Sequence, residues 1–396
     1  YGTGHGSRCA AVAGGAGLLL SSIKKKKKRK CWMKDFRHKK DLKGCFSLIK
    51  NELKVEDAES YKNYIRMNDN TFQKLLELIK DSISAQDTKM RVAISAEEKL
   101  AVTLRFLATG ESLKSLDFSS RLSSASLCRW IPKICDEIYK KLKGNYLKFP
   151  TTTEEWIDIS NRFAIRWQFP HCIGALDGKH IAFQASRKDG AFYRNYKGFD
   201  SIVLLALVDA NCRFIYVDVG WNGRISDGGV FRQSDLYQIM GDESQLPADT
   251  AIGNNRKLPY VFIGDDAFAL HKHLMKPYPY HTSETAEKIF NIRLSTARQT
   301  VEHAFGLLTN RFRILQTKIN MKVETVQKIV LACCALHNFI MDNNSENSGS
   351  HTGNMENLAS NRIAPSNHSP LASDIRTEFA NYFTEEGMVH WQNAKP

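Results

Sequence analysis

The sequence predicts a mixed α/β domain with a central sheet, preceded by an all-helical region. Three observations carry this. Between about residue 170 and 265 lie four short runs, "CIGALDGKHIAF", "SIVLLALVDA", "FIYVDVG" and "YVFIGD", rich in β-branched and aromatic residues and bounded by Gly, Asp and Asn, as strands are. Before them, residues 51–150 place apolar side chains at helical spacing. After them, "STARQTVEHAFGLLTNRFRIL" and "VETVQKIVLACCALHNFIMD" return to the helical period. Strands first and helices after, with one helix between, describe a sheet covered by helices.

Taken in chain order, residues 1–50 are dominated by Gly and Ala and then by Lys, and disorder is expected there. They hold 14 Lys/Arg against 2 Asp, +12 of the chain's net +14, so the remaining residues are close to neutral. The stretch "KKKKKRK" at 24–30 fits a nuclear-import signal or a phosphate-binding arm. The preceding "CAAVAGGAGLLL" is short for a secretory core and runs into cations rather than a cleavage site, so secretion is not expected. Nine scattered cysteines without CxxC spacing suit a reducing compartment and give no zinc framework. No uninterrupted apolar run approaches the roughly 18 to 20 residues of a membrane helix.

In 51–150, "TFQKLLELIKDSI" is amphipathic at helical spacing. "SAEEKLAVTLRFLATG" opens on Ser95 as a cap, with Glu98 three residues on, and closes on Gly110. A short helix, a turn and a longer helix from about Ser123 to Leu142 follow. That outline fits a helix-turn-helix unit and equally any helical bundle. Inside the sheet region, "DGGVFRQSDLYQIM" reads as one helix with Asp227 as its N-cap, or as a fourth acidic ligand, and 241–257 reads as a polar loop. The expected units are 1–50 disordered and basic, 51–150 helical, 170–341 catalytic α/β, and 342–396 a mostly flexible tail rich at first in Asn, Ser and Gly.

Three acids stand where chemistry could use them. Asp177 ends the first strand-like run, Asp265 ends the fourth, and Glu302 lies on the helix beyond. On that helix Ala297, Val301, Ala304, Phe305, Leu308 and Phe312 make the apolar stripe, with Glu302 at its edge. A helix docked by that stripe carries Glu302 toward the strand ends. Three carboxylates within ~4 Å of one another repel by about 4 kcal/mol per pair at an effective dielectric of ~20. A fold tolerates that where a cation sits, and oxygen-only ligands select Mg²⁺ or Mn²⁺. Two such ions can drive in-line attack on a phosphodiester. Asp265 would then be a ligand and Asp266 the turn-former. Without a metal, Asp177 caps a turn with Gly178 and Arg298–Glu302 is an ordinary i,i+4 pair.

Lesser features divide the same way. His180 points away from Asp177 if the strand continues, and a structural role is favoured. His303 reads as a surface residue and His337 as a satisfied core histidine. "RKDGAFYRNYKG" (187–198) alternates Arg187, Lys188, Arg194 and Lys197 with Phe192, Tyr193 and Tyr196. That suits backbone contact with base stacking, or a plain hairpin. Arg311 and Arg313 could reach phosphate or cover apolar surface.

"CIGALDGKHIAF", "FYRNYKGFDSIVLLALVDANCRFIYVDVGWNGRISDGGVFRQSDL", "LPYVFIGDDAFAL", "MKPYP", "IFNIRLSTARQTVEHAFGLLTNRFRIL" and "ACCALHNF" together resemble the PIF/Harbinger DDE transposases and Harbinger transposase-derived nucleases. The likeness runs from about 95 to 341 and is densest from 172 onward. It implies an RNase H-like mixed five-stranded sheet flanked by helices, whose D-D-E triad cuts and joins DNA with divalent metal, two Mg²⁺ or Mn²⁺ ions. The family's first Asp falls on Asp177, its second on Asp265 rather than Asp266, and its Glu on Glu302. The resemblance also implies double-stranded DNA as target, an N-terminal helix-turn-helix region and a Myb/SANT-like protein partner. A homo-oligomer on DNA, no membrane, and a location in the nucleus (or nucleus and cytoplasm) complete the expectation. Two other classes stay open: a domesticated DNA- or protein-binding factor that does not cut, and a metal phosphohydrolase of small phosphoesters.

Overall fold

Three long strands form the antiparallel part of a sheet: β1 (Cys172–Ala182), β2 (Ser201–Val208) and β3 (Phe214–Asn222). β4 (Thr250–Ile252) and β5 (Arg256–Leu258) make a separate hairpin. β6 (Val261–Ile263) and β7 (Leu274–Met275) then add to the free edge of β1, each parallel to its neighbour, giving the order β3-β2-β1-β6-β7. Every residue of β2 is buried, which is why its run is continuously apolar rather than alternating. This computed structural model describes residues 33–344 and 369–393, apart from residues 90, 91, 187, 255 and 280.

Helices cover the sheet and extend beyond it. After short helical turns between Asp35 and Glu56 come α1 (Ala58–Ile65), α2 (Asp69–Ile83), α3 (Ala96–Thr109), α4 (Leu113–Ser120), α5 (Ser124–Tyr146) and α6 (Thr153–Trp167). The sequence signals for α3 hold: Ser95 accepts from the Glu98 N–H, and Gly110 closes the helix at φ 68°, a conformation glycine takes at little cost. Ser123 caps α5 by accepting from Ser126 N–H. α7 (Asp227–Arg232) and α8 (Asp235–Gly241) follow β3. α9 (Thr285–Arg311), α10 (Val323–Asn344) and α11 (Pro370–Thr384) complete the described fold. α5 packs along α10 and α10 along β3, so the helical region and the sheet share one core. By length and composition α10 could cross a membrane, but most of it is buried in that core. The seven described cysteines are all unpaired, and six are buried as small apolar residues.

Several expectations need correction. Residues 1–32 lie outside the described residues, but 33–50 are helical rather than disordered. Arg37 binds Asp117 and Lys40 binds Glu98, drawing Cys45 and Ile49 into the core; these are tertiary contacts that local composition does not encode. The polar loop at 241–257 contains β4 and part of β5. The single helix after β3 is two, because Ser234 turns the chain between them. The C-terminal tail is not mostly flexible in its described part. α11 buries Ala372, Ile375, Phe379 and Phe383, and packs on α9.

Candidate active site

Parallel pairing brings two of the three acids together. Ile263 at the end of β6 lies opposite Ala175 of β1. Two residues further on, each strand reaches an acid: Asp177, still paired with Ala206 of β2, and Asp265, just past the last residue of β6. Alternation along a strand points residues i and i+2 to the same face, so the side chains of Asp177 and Asp265 stand level and on one side. Only Asp265 is at a strand end; Asp177, expected from sequence to end its run, lies mid-strand because β1 continues to Ala182. Backbone amides fix both. Asp177 Oδ1 accepts from Gly178 N–H at 2.9 Å, and Asp265 Oδ1 from Ala267 N–H at 3.0 Å. Asp265 is thus itself the turn-former, a role assigned from sequence to Asp266.

The electrostatics around Asp177 are unusual for a surface carboxylate. The side chain keeps some solvent access but is ringed by protein. That burial pushes its pKa up to about 7; Arg298 opposes the shift, while the charges of Asp265 and Asp227 add to it. Lys179, on the same strand face, sits with Nζ 5.5 Å from the Phe305 ring centroid on α9. Burial lowers its pKa, with Asp177 acting in the opposite sense.

Asp227 is closer to this cluster than its sequence suggested, and it is not the N-cap. Ser226 caps α7 by accepting from Gly229 N–H, and Asp227 belongs to the first turn. Gly178 leaves room for it: a Cβ at 178 would stand 2.2 Å from Asp227 Oδ1. The glycine after Asp177 was the available sequence signal for this close approach.

Glu302 is carried to the same region by α9, whose stripe Ala297, Val301, Ala304, Leu308 and Phe312 is fully buried. Its carboxylate turns outward. The side chain is 55% exposed, and Oε1 accepts from Arg298 Nη2 at 2.9 Å. The structure therefore brings Asp177 and Asp265 together, with Asp227 nearby, and leaves Glu302 tied to Arg298. Among the described residues, no group of three or more His, Cys, Asp or Glu side chains is arranged to hold a metal ion. The donor chemistry nevertheless fits a hard divalent cation: carboxylate oxygens, that of Asp177 largely surrounded by protein, whose main opposing charge is one guanidinium.

The histidines fall outside this chemistry. His180 Nδ1 lies 3.0 Å from Ser201 Oγ on the other face of β1. His337 Nε2 lies 3.0 Å from the Cys212 carbonyl and its Nδ1 3.1 Å from Arg311 Nη1. Burial takes its pKa down to about 3. Arg311 is thus a core partner rather than a phosphate ligand. His303 is half-buried against Trp167, ring centroids 6.2 Å apart, not a free surface residue. In the loop between β1 and β2, Phe192 and Tyr196 are exposed. Lys197 Nζ lies 5.4 Å over the Tyr196 ring, and Arg194 lies 3.8 Å from Asp200. Buried Asn195 fixes the loop by accepting from the N–H groups of Lys197 and Phe199. Arg187 lies outside the described residues.

Residues 176–338, which contain all three acids, match the DDE superfamily endonuclease family. The chain is 27% identical over 299 residues to "Protein ALP1-like" of Arabidopsis thaliana, covering 72% of this chain and 71% of that one. It is 28% identical over 272 residues to "Putative nuclease HARBI1" of Rattus norvegicus, covering 68% and 73%. The Homo sapiens protein of the same name is 27% identical over 287 residues, covering 71% and 78%. No solved structure matches the chain.

Proposed function

We propose, from the match of residues 176–338 to the DDE superfamily endonuclease family, that the chain is a divalent-metal-dependent nuclease hydrolysing phosphodiester bonds in double-stranded DNA. The level placement of Asp177 and Asp265 by adjacent parallel strands carries this reading. The five-stranded mixed sheet, three antiparallel strands followed by two parallel ones, suits the RNase H-like arrangement such a site needs.

Asp177 and Asp265 would hold Mg²⁺ or Mn²⁺ from the sheet, and Glu302 would complete the site from α9. When bound, two such ions supply Lewis acidity at the phosphate, activate the attacking oxygen and stabilise the leaving one. The chain's own contribution is position. Strand pairing and the amides of Gly178 and Ala267 hold the two aspartates before any ligand arrives. Phe305 on α9 is buried and receives Lys179 over its ring, so that side of β1 is covered by the helix. Exposed Phe192 and Tyr196, beside Arg194 and Lys197, offer stacking faces and cations to a nucleic-acid strand.

The α3–α4–α5 segment is proposed as a helix-turn-helix-like element, and residues 24–30 as a nuclear-import signal. The near-neutral charge beyond residue 50 suggests that DNA affinity depends on a partner, such as a Myb/SANT-like protein, and on a second copy of the chain on DNA. The outward turn of Glu302 favours one competing reading: a transposase-derived DNA- or protein-binding factor that does not cut, and that binds DNA equally well in EDTA.

The test is nicking of supercoiled plasmid in Mn²⁺. Asp177→Ala and Glu302→Ala are each expected to lower nicking by at least about 100-fold, as loss of a transition-state group does, with unchanged circular dichroism. Normal nicking by both variants would remove the site assignment.

A further inference from the structure

Arg298 stands one helical turn before Glu302 on α9, and it is the inner member of their pair. Its side chain is 18% exposed against 55% for Glu302, and a single nitrogen, Nη2, makes their 2.9 Å bond. Its charge also reaches Asp177, where it is the main influence opposing burial. The guanidinium therefore bonds the helix-borne acid directly and acts on the sheet-borne one through its charge.

Two details show that this is not a settled structural ion pair. Arg298 Nε is buried and makes no hydrogen bond, although buried polar groups in a finished packing arrangement are nearly always satisfied. The pair with Glu302 is an i,i+4 contact open to water, a class worth only a few tenths of a kcal/mol. A cation held this loosely beside Asp177 can be displaced. A divalent ion bound by Asp177 would in turn be repelled by it, since like charges largely surrounded by protein interact strongly.

We propose that Arg298 is a resident counter-ion standing in for the divalent metal, shielding Asp177 and holding Glu302 turned outward until metal entry displaces it. This rests on the metal-site reading above. Arg298 is a positioning residue: it acts through the orientation of Glu302 and the charge seen by Asp177. It makes the site resist metal in the absence of substrate, so that Glu302 joins only when the guanidinium moves away.

The experiment is calorimetric titration of the full-length, DNA-free protein with Mn²⁺, comparing wild type, Arg298→Met, Arg298→Lys and Asp177→Asn. Removing the competing charge is expected to tighten Mn²⁺ binding by at least about tenfold in Arg298→Met. Arg298→Lys keeps the charge and is expected to stay within about threefold of wild type. Thermal melting checks folding, and Arg298→Gln repeats the test if the Met variant does not fold. Unchanged or weaker binding by the neutral variant, with Asp177→Asn still binding more weakly than wild type, overturns the counter-ion role and leaves the metal site standing. Equal, measurable binding by wild type and Asp177→Asn, or no binding by wild type and by Arg298→Met alike, overturns both.

Discussion

Asp177 and Asp265 are placed by backbone, whereas Glu302 is placed by a side chain. The first two are set at one level by adjacent parallel strands, because Ile263 pairs with Ala175 and each acid follows two residues later. No rotamer choice is needed to bring them level. Glu302 stands on the outer edge of α9 with most of its carboxylate in water, and where it points depends on its partner, Arg298. The difference separates two jobs. In the proposed site a rigid pair would pre-organise the place of a hard ion, and an adjustable third acid would decide when that site is complete.

The largest expected effect breaks the rigid half. Asp177→Asn keeps the shape and the acceptor for the Gly178 amide, but it removes a charge that burial opposes. Nicking should fall at least about 100-fold, while the metal-free protein should become more stable at alkaline pH. The sign follows from linkage. The folded protein holds the Asp177 proton up to about pH 7, whereas the unfolded chain releases it near 3.8. Between those values the folded state binds more protons, so this group's contribution to stability falls as pH rises through the window and stays low above it. Melting in EDTA should therefore show Asp177→Asn at least about 2 °C above wild type at pH 8, with the two converging at pH 4. A variant that melts below wild type at pH 8 would show that Asp177 is not held against its charge.

Gly178→Ala probes the boundary between the halves. The new Cβ would meet Asp227 Oδ1 at 2.2 Å and its Cγ at 2.5 Å, so the whole carboxyl group must give way. If Asp227 belongs to the acidic cluster, displacing it should lower nicking about tenfold, with a stability loss near 1 kcal/mol for the added methyl. Replacing Asp227 by Ala in the same background should restore the stability but not the nicking. Full recovery of both would make Asp227 a packing neighbour only, as a double-mutant cycle reads it.

How much of this was legible in the sequence follows the same division. Asp177 and Asp265 could be found because apolar runs reach them. For Asp265 that marked a true strand end, but for Asp177 it did not, since pairing with β2 carries β1 on to Ala182. The α9 stripe from Ala297 to Phe312 was equally plain, as were the Ser95 and Gly110 boundaries of α3. Contacts made across the fold were not legible. The approach of Asp227 to Gly178 depends on how α7 docks on β1 and β2, and sequence reasoning took Asp227 for a cap where Ser226 does that work. The influence of Arg298 on Asp177 was hidden behind its obvious i,i+4 partner. α11 was missed for another reason: the Asn/Ser-rich stretch before it masked a periodic signal, Leu371, Ile375, Phe379 and Phe383, that was there to be read. The Lys-rich turns after Asp35 gave no local signal, since Asp117 and Glu98 hold them from 80 and 58 residues away.

The smallest expected effect on stability concerns the adjustable half. Glu302→Gln leaves the length and the acceptor oxygen in place and removes only the charge facing Arg298. An exposed i,i+4 pair contributes about 0.3–0.5 kcal/mol, so chemical denaturation should shift by no more than about 0.5 kcal/mol. Nicking should nevertheless fall as far as it does for Asp177→Asn, because a neutral amide is a poor ligand for a hard cation. The comparison turns on that contrast: equal functional losses at both acids, a pH-dependent stability gain at one and almost none at the other. A stability loss above about 1.5 kcal/mol at Glu302, the range of a hydrogen bond to a charged group, would mean that its bond to Arg298 holds α9 in place. The third acid would then be as fixed as the first two, and metal entry would have to displace structure rather than a loosely held side chain.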